Sequence, residues 1–109
     1  MPLFRCVDTS VDKTFVIEIT RPDRVEEARQ IIADKKTKGV MGTVIPRPAN
    51  YNSPWSWHLA PDSISFFEMA IEVCDANVEY LEKHLSEIGT DFLPNCHWCP
   101  WSSRLLEEI

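Results

Sequence analysis

Hydrophobic and polar residues alternate along the first part of the chain. From Thr14 to Thr20 every second residue is apolar and several are β-branched, which predicts a β-strand. A second apolar run extends from Val40 to Ile45, and Gly42 within it marks a bulge or a point of close packing. Two strands are therefore expected in this part of the chain.

An amphipathic helix is predicted between these two strands. Thr20 is expected to cap its N-terminus, Pro22 lies in its first turn, and Gly39 is expected to end it. The apolar residues fall on one face, which we expect to be buried. These residues are Val25, Ala28, Ile31 and Ile32, and the lysines near the C-terminal end are Lys35, Lys36 and Lys38.

A β-hairpin is predicted after the second strand. Residues 55–59 alternate in polarity, and a longer alternation extends from Ser65 to Cys74, with Ile71 as one of its apolar positions. The segment 60–63 between them has the composition of a turn. We therefore expect these two strands to pair with each other.

A second helix and a final strand are predicted in the last third. Asp75 is expected to cap the helix and Gly89 to end it, and residues 101–106 indicate a strand. The apolar face of this helix comprises Val78, Leu81, Leu85 and Ile88.

The order of these elements predicts an α+β fold. We expect residues 1–109 to form a single two-layer domain, in which a mixed or antiparallel sheet has both helices on one face. This arrangement is related to the ferredoxin-like one, with an extra strand.

Composition and charge exclude several classes of function. The chain has 109 residues, a net charge of −6 and a sequence pI near 4.9, which opposes binding to nucleic acid or to an anionic membrane. Its apolar runs are shorter than the roughly 18 residues of a membrane-spanning helix, and its first residues lack the features of a signal peptide. We expect a soluble protein, either cytoplasmic or secreted and already processed.

Four cysteines leave three kinds of chemistry open. Cys96 and Cys99 form a C-x-x-C pair around His97, which suits a redox dithiol, half of a metal site or structural disulfides. Pro100 follows directly, where a redox dithiol would have a helix. In the disulfide interpretation, bridges of Cys74 with Cys99 and of Cys6 with Cys96 would fasten both ends of the chain.

An enzymatic site is the alternative hypothesis. His58, Asp62 and His97 are the candidate catalytic residues, and His58 with His97 would be the ligands of a zinc or copper ion. The spacing lacks a second C-x-x-C or a paired-histidine motif, and no nucleophile elbow or glycine-rich loop accompanies these residues. No cofactor is therefore predicted in the main interpretation.

A proline-rich loop and several aromatic residues form the candidate binding region. Residues 46–54 contain three prolines and no apolar period, which predicts an exposed, extended loop. The candidate binding residues in and around it are Tyr51, Trp55, Trp57, His58, Trp98 and Trp101. Tryptophans also serve as core residues, so a buried cluster is the competing expectation.

Three stretches, namely 51–64, 71–76 and 97–104, contain the motifs PWSWHL, IEVCDA and WCPWSSR. Together they resemble a family named for calmodulin binding, whose members have this unit as a small N-terminal or stand-alone domain. The resemblance implies a bridge between Cys74 and Cys99, with Cys6 and Cys96 as additional cysteines. It implies a binding partner and no enzymatic mechanism.

Calmodulin itself does not suit the predicted helices of this chain. Calmodulin is acidic, and its targets are basic amphipathic helices with apolar anchors. The second predicted helix is acidic, with Glu79, Glu82 and Glu87 against Lys83. We therefore expect the folded domain to bind calmodulin weakly or not at all.

Taken together, these features favour a non-enzymatic recognition domain over a small enzyme. Its partner, a protein or a small molecule, is expected to contact the loop 46–54 and the adjoining aromatic residues. One version is inhibitor-like, since a proline-rigid loop loses little entropy on binding. A purely structural or assembly domain is the third possibility.

Overall fold

The computed structural model of the protein describes residues 2–70 and 72–109. Within them the chain forms strands β1 Leu3–Asp8, β2 Lys13–Glu18, β3 Gly39–Ile45, β4 His58–Leu59, β5 Ser65–Phe67, β6 His97–Trp98 and β7 Ser103–Glu108, and helices α1 Pro22–Ala33 and α2 Val78–Lys83. The strands pair antiparallel and the fold is α+β, as predicted. The predicted apolar position at Ile71 lies outside the described residues.

The first sheet has the order β2-β1-β7. Phe4 lies opposite Ile17 and Cys6 opposite Phe15, so these four side chains enter the core together. Strand β1 was not predicted. Its buried positions are occupied by Phe4, Cys6 and Asp8. Two of these side chains are a thiol and a carboxylate, so the segment does not show the alternation of apolar and polar residues that predicts a strand.

The second sheet is built around β3, which pairs with β4, β5 and β6. The predicted hairpin is therefore wrong, because β4 and β5 pair with β3 and not with each other. The turn at residues 60–63 keeps the chain beside β3, since Thr43 N–H donates to Ser63 Oγ and Ala60 N–H to the Thr43 carbonyl. The single predicted sheet is accordingly divided into two, and the strand predicted up to Cys74 ends at Phe67.

Helix α1 buries Val25, Ala28 and Ile31, which confirms its predicted apolar face. Its cap is different from the prediction, because Arg21 occupies the N-cap position and no side chain caps the helix there. The helix also ends before Gly39, which begins β3. Gly39 is required at that point because the ring of Phe67 occupies the space that a Cβ atom would need.

Helix α2 is short and is capped by Asn77, whose Oδ1 accepts a 2.7 Å hydrogen bond from Tyr80 N–H. The predicted cap Asp75 instead accepts a hydrogen bond from the Trp101 N–H. Val78 and Leu81 are buried as expected. The helix ends at Lys83 and not at the predicted Gly89, which follows a short 3-10 turn and has a positive φ of 91°.

An aromatic cluster fills the space between the two sheets. Phe15 comes from the first sheet, Trp98 from the second, and Trp57 from the residue directly before β4, with ring centroids 5.0 to 5.7 Å apart. Both tryptophans are 0% exposed. A hydrogen bond from Val40 N–H to Ser103 Oγ links the two sheets at another point. The aromatic contacts therefore determine how the sheets face each other.

Candidate functional site

The proline-rich loop is fastened to the domain through Asn52, which is 1% exposed. Its Oδ1 accepts a 2.7 Å hydrogen bond from Val16 N–H, and its Nδ2 donates a 2.8 Å bond to the Trp57 carbonyl. Residues 50–52 form a short 3-10 turn at this point. The prediction of a wholly exposed loop is therefore wrong for Asn52, because its amide satisfies buried backbone groups.

Trp55 gives the loop a second attachment. Its Nε1–H donates a 2.8 Å hydrogen bond to the carbonyl of Thr14, and its ring lies 6.1 Å from that of Trp57. Thr14 and Val16 both belong to β2, so Trp55 and Asn52 together occupy hydrogen-bonding groups of that strand that β1 does not use. The loop thus protects this edge of the sheet from pairing with another strand.

The outer end of the loop is the sequence Pro46-Arg47-Pro48, and all three residues are exposed. The backbone of Arg47 is satisfied internally, since its N–H donates to the Ile45 carbonyl at 2.8 Å and its carbonyl lies 2.7 Å from His58 Nδ1. A carbonyl only accepts, so Nδ1 of His58 bears the proton in this bond. The guanidinium of Arg47 makes no ion pair with any other residue that the structure describes.

Tyr51 lies beside His58, with the two rings edge to face and their centroids 6.2 Å apart. Its hydroxyl is buried and has no hydrogen-bond partner among the described residues. Burial, and secondly the negative charge of Glu18, raise the pKa of Tyr51. We use the name loop surface for Arg47, Tyr51 and His58, which these contacts bring together, and for the partly buried Trp55, which follows the loop.

Three of the predicted binding residues lie elsewhere. Trp57 and Trp98 are fully buried, and Trp98 Nε1–H donates to the Ala76 carbonyl at 2.9 Å. Their side chains cannot contact a partner without disrupting the core, so the prediction that they bind one is corrected to a core role. Trp101 is 41% exposed but borders a different groove, next to Phe67 and Met69.

The three candidate catalytic residues do not form a linked set. His58 lies opposite Ile45, and His97 lies opposite Thr43, so both imidazoles share the outward face of β3. Asp62 is exposed in a turn, and in residues 2–70 and 72–109 no hydrogen bond or ion pair joins it to either histidine. In the described part, therefore, Asp62 does not orient either histidine as the carboxylate of a catalytic triad does.

The alternative metal site needs more ligands than His58 and His97. Among the residues described, no group of three or more His, Cys, Asp or Glu side chains is placed to hold a metal ion. His58 already uses Nδ1 for the Arg47 carbonyl, which leaves only Nε2 available for a ligand. Among these residues, no third side chain joins His58 and His97 to complete a zinc or copper site.

The cysteines divide into one disulfide and two thiols. Cys74 and Cys99 form a disulfide with Cα atoms 5.1 Å apart, and Cys99 N–H donates to the Cys74 carbonyl. Cys6 and Cys96 are free thiols, so the predicted bridge between them is wrong. Cys6 points into the first sheet's core, where burial raises its pKa well above the ordinary range. Cys96 instead lies beside Gly89.

A cavity of about 450 Å³ lies next to this disulfide, on the outward face of β3. Thr43 and His97 line it from the sheet, and Cys74 with Asn95 line it from the connecting segments. Asn95 has a φ of 61°, in the left-handed region. The cavity does not include any residue of the loop surface.

Sequence reasoning did not identify Arg47, whose side chain is exposed at the outer end of the loop, or Asn52, which anchors the loop to the domain. The available signal was an arginine between two prolines, and an asparagine within a turn-forming stretch. No sequence pattern indicates that the asparagine amide reaches a strand 36 residues away.

One comparison with known proteins identifies a family. A family model described as the BP-74 N-terminal domain matches residues 2–109, so the chain belongs to this family. The name is that of a calmodulin-binding protein family. No curated protein matches the chain, and no solved structure matches it. Within the described residues no helix is long and apolar enough to span a membrane.

Proposed function

We propose that this member of the BP-74 N-terminal domain family is a non-enzymatic recognition domain whose partner contacts the loop surface. The family name denotes binding, and the candidate catalytic residues are not connected to one another. The loop surface combines an unpaired guanidinium with half-buried aromatic rings, which are the groups that dominate binding energy at protein interfaces.

The anchoring of Asn52 is the observation that best supports this proposal. Two hydrogen bonds hold the base of the loop, and Trp55 fixes its end on β2. Pro46 and Pro48 further restrict the backbone on either side of Arg47. A loop that is already ordered loses less conformational entropy on binding, so more of its contact energy remains as affinity.

We propose that the partner recognises the side chain of Arg47. An inhibitor that presents a carbonyl to a protease oxyanion hole needs that oxygen free. The Arg47 carbonyl is instead occupied by His58, whereas its guanidinium is unpaired with any carboxylate of the described residues. A bidentate pair between this guanidinium and a carboxylate of the partner fits this geometry.

The proposal is tested by comparing proteins retained from a lysate of the source cells on immobilised domain variants. We expect one or more proteins to bind the wild type and Lys13→Ala equally, and to bind Arg47→Ala at least about tenfold less. Lys13 is an exposed cation on β2 outside the loop surface, so it controls for loss of charge. An identical set of retained proteins for all three would contradict the proposal. So would retention that Lys13→Ala weakens as strongly as Arg47→Ala.

A further inference from the structure

A second exposed surface lies away from the loop surface. Phe67, Glu68, Met69, Ala70 and Trp101 line a groove of about 280 Å³, which we name the Trp101 groove. Met69 is 91% exposed and Trp101 is 41% exposed. Large apolar side chains gain free energy when they leave water, so this groove favours an apolar occupant.

Hydrogen bonds and strand pairing position two residues that line the Trp101 groove. The Trp101 N–H donates a 2.9 Å hydrogen bond to Asp75 Oδ1, and its carbonyl accepts one from Arg104 Nη1. Phe67 belongs to β5 and its ring lies against Gly39 of β3. Met69 is the flexible element, and a thioether side chain adapts to different apolar partners. The groove therefore combines a held backbone at Trp101 and a strand residue at Phe67 with one adaptable side chain.

A cationic segment continues directly from this groove. A second depression of about 500 Å³ is lined by Asp34, Glu68 and residues 35–38, which include three lysines. Glu68 borders both depressions, so they form one continuous surface. Three lysines against two carboxylates leave this depression positive by one charge, whereas the whole chain has a net charge of −6. None of these lysines forms an ion pair within the part of the chain that the structure describes.

We propose that the Trp101 groove and the segment 35–38 bind an acidic peptide segment of a protein partner. An apolar side chain of that segment would lie against Trp101 and Met69, and its carboxylates would face the lysines. The groove has room for one or two large apolar side chains, as expected for the anchor of a short peptide. Charge complementarity selects an acidic sequence, because unpaired lysines gain most from carboxylates.

An anionic membrane presents similar chemistry but fits the rest of the molecule poorly. A membrane is an extended surface, and the remaining acidic residues of a chain with net charge −6 would be repelled by it. A peptide contacts only the local positive area. This inference uses no residue of the loop surface, so it stands or fails independently of the proposed function.

The probes are three fluorescein-labelled peptides of about 12 residues, measured by fluorescence anisotropy with the intact domain. The first alternates Asp and Glu with Leu and Phe, the second replaces Leu and Phe by Ser, and the third replaces Asp and Glu by Lys. At about 50 mM salt we expect the first peptide to bind at least about tenfold more tightly than the other two. Raising the salt to about 300 mM should weaken it several-fold.

Variants of the domain test whether the first peptide binds at this surface. Trp101→Ala and the double variant Lys36→Glu/Lys38→Glu should each weaken the first peptide about tenfold, and Glu68→Gln should strengthen it a few-fold. The matched control Lys13→Glu/Lys83→Glu makes the same change in net charge elsewhere and should have little effect. Thermal melting verifies that each variant is folded, and Met69→Ser replaces Trp101→Ala if that protein is not.

Three outcomes would overturn the inference. Equal binding of the acidic and basic peptides would show that charge does not select the partner. An equal loss of affinity in Lys13→Glu/Lys83→Glu would show that only net charge matters. Binding to phosphatidylserine vesicles with no binding of the acidic peptide would replace the protein partner by a lipid surface.

Discussion

Asn52 Oδ1 lies 2.7 Å from the backbone nitrogen of Val16, although the two residues are 36 positions apart in the sequence. The same side chain amide donates to the Trp57 carbonyl through Nδ2. Val16 belongs to the first sheet, and Trp57 directly precedes a strand of the second. One buried amide therefore holds the loop and also joins the two sheets.

Replacing Asn52 by Ala should lower the free energy of unfolding by about 2 to 4 kcal/mol, because it leaves the partly buried Val16 N–H and the buried Trp57 carbonyl without their partner. Urea denaturation at neutral pH measures the change. Asn50→Ala is the matched control, since Asn50 is exposed in the same turn, and we expect a change below about 0.5 kcal/mol. Equal effects of the two substitutions would show that the Asn52 hydrogen bonds do not stabilise the loop.

The disulfide between Cys74 and Cys99 should stabilise the domain substantially. The bridged cysteines are 25 positions apart, and chain-entropy arguments give about 3 to 4 kcal/mol for a loop of that length. The double variant Cys74→Ala/Cys99→Ala should therefore melt at a clearly lower temperature than the wild type. A melting temperature within about 2 °C of the wild type would contradict this expectation.

The two remaining thiols should differ in their reactivity. Cys6 is fully buried and Cys96 is partly exposed. Under native conditions a maleimide should label Cys96 alone, and under denaturing conditions without reductant it should label both. Intact mass before and after labelling gives the count directly, with Cys96→Ser as the control. Native labelling of Cys6 would show that the core opens more readily than its packing indicates.

Stability should also fall at alkaline pH because of Cys6. Burial raises the pKa of its thiol in the folded state, whereas in the unfolded chain the thiol releases its proton from about pH 8.5. The folded state then binds more protons, so the contribution is complete below about pH 8.5 and is lost as the pH rises further. The limiting slope is about 1.4 kcal/mol per pH unit for one group.

Urea denaturation at several values between about pH 7.5 and pH 10 measures this slope. Cys6→Ala should be less stable at neutral pH, owing to the lost packing of its sulfur, but its stability should change less with alkaline pH. Parallel pH profiles for the two proteins would show that another group is responsible.

The folded domain should not bind calmodulin with Ca²⁺. The apolar face of α1 is already buried in the core, and α2 has only six residues, too few to span the groove that holds a target helix. Isothermal titration calorimetry at micromolar concentrations should give no Ca²⁺-dependent binding heat. A synthetic peptide of residues 21–38 is a useful comparison, since it exposes the α1 face that folding buries. Tight binding by the intact domain would contradict the structure of α1.

The sequence by itself determined the class of the fold and much of its local structure. The period of two located β2, an apolar run located β3, and the period of about 3.6 located α1 and α2. The same patterns identified Val25, Ala28 and Leu81 as core residues. These predictions depend only on residues that are neighbours along the chain. Helix caps were less predictable, because Arg21 and Asn77 replaced the expected Thr20 and Asp75.

Strand pairing and burial of the tryptophans depended on the tertiary structure. An alternation of polarity shows which face of a strand is buried but not which strand lies beside it, so the pairing of β5 with β3 was missed. The sequence presents Trp57 and Trp101 alike as candidate binding residues, yet one is 0% and the other 41% exposed. That difference arises from the contact between the two sheets, which buries Trp57 against Phe15 and Trp98.

The candidate site also has some features that are visible in the sequence and others that only the tertiary structure creates. The prolines around Arg47 are visible in the sequence, because they belong to a short motif. The spacing of the cysteines left three kinds of chemistry open, and the family resemblance favoured the bridge between Cys74 and Cys99. The anchoring of Asn52 on Val16 and the union of Trp101 with the lysine segment arise only when distant parts of the chain pack together. Hydrogen bonds and surface charge act through space, so only the folded chain decides which of these groups meet.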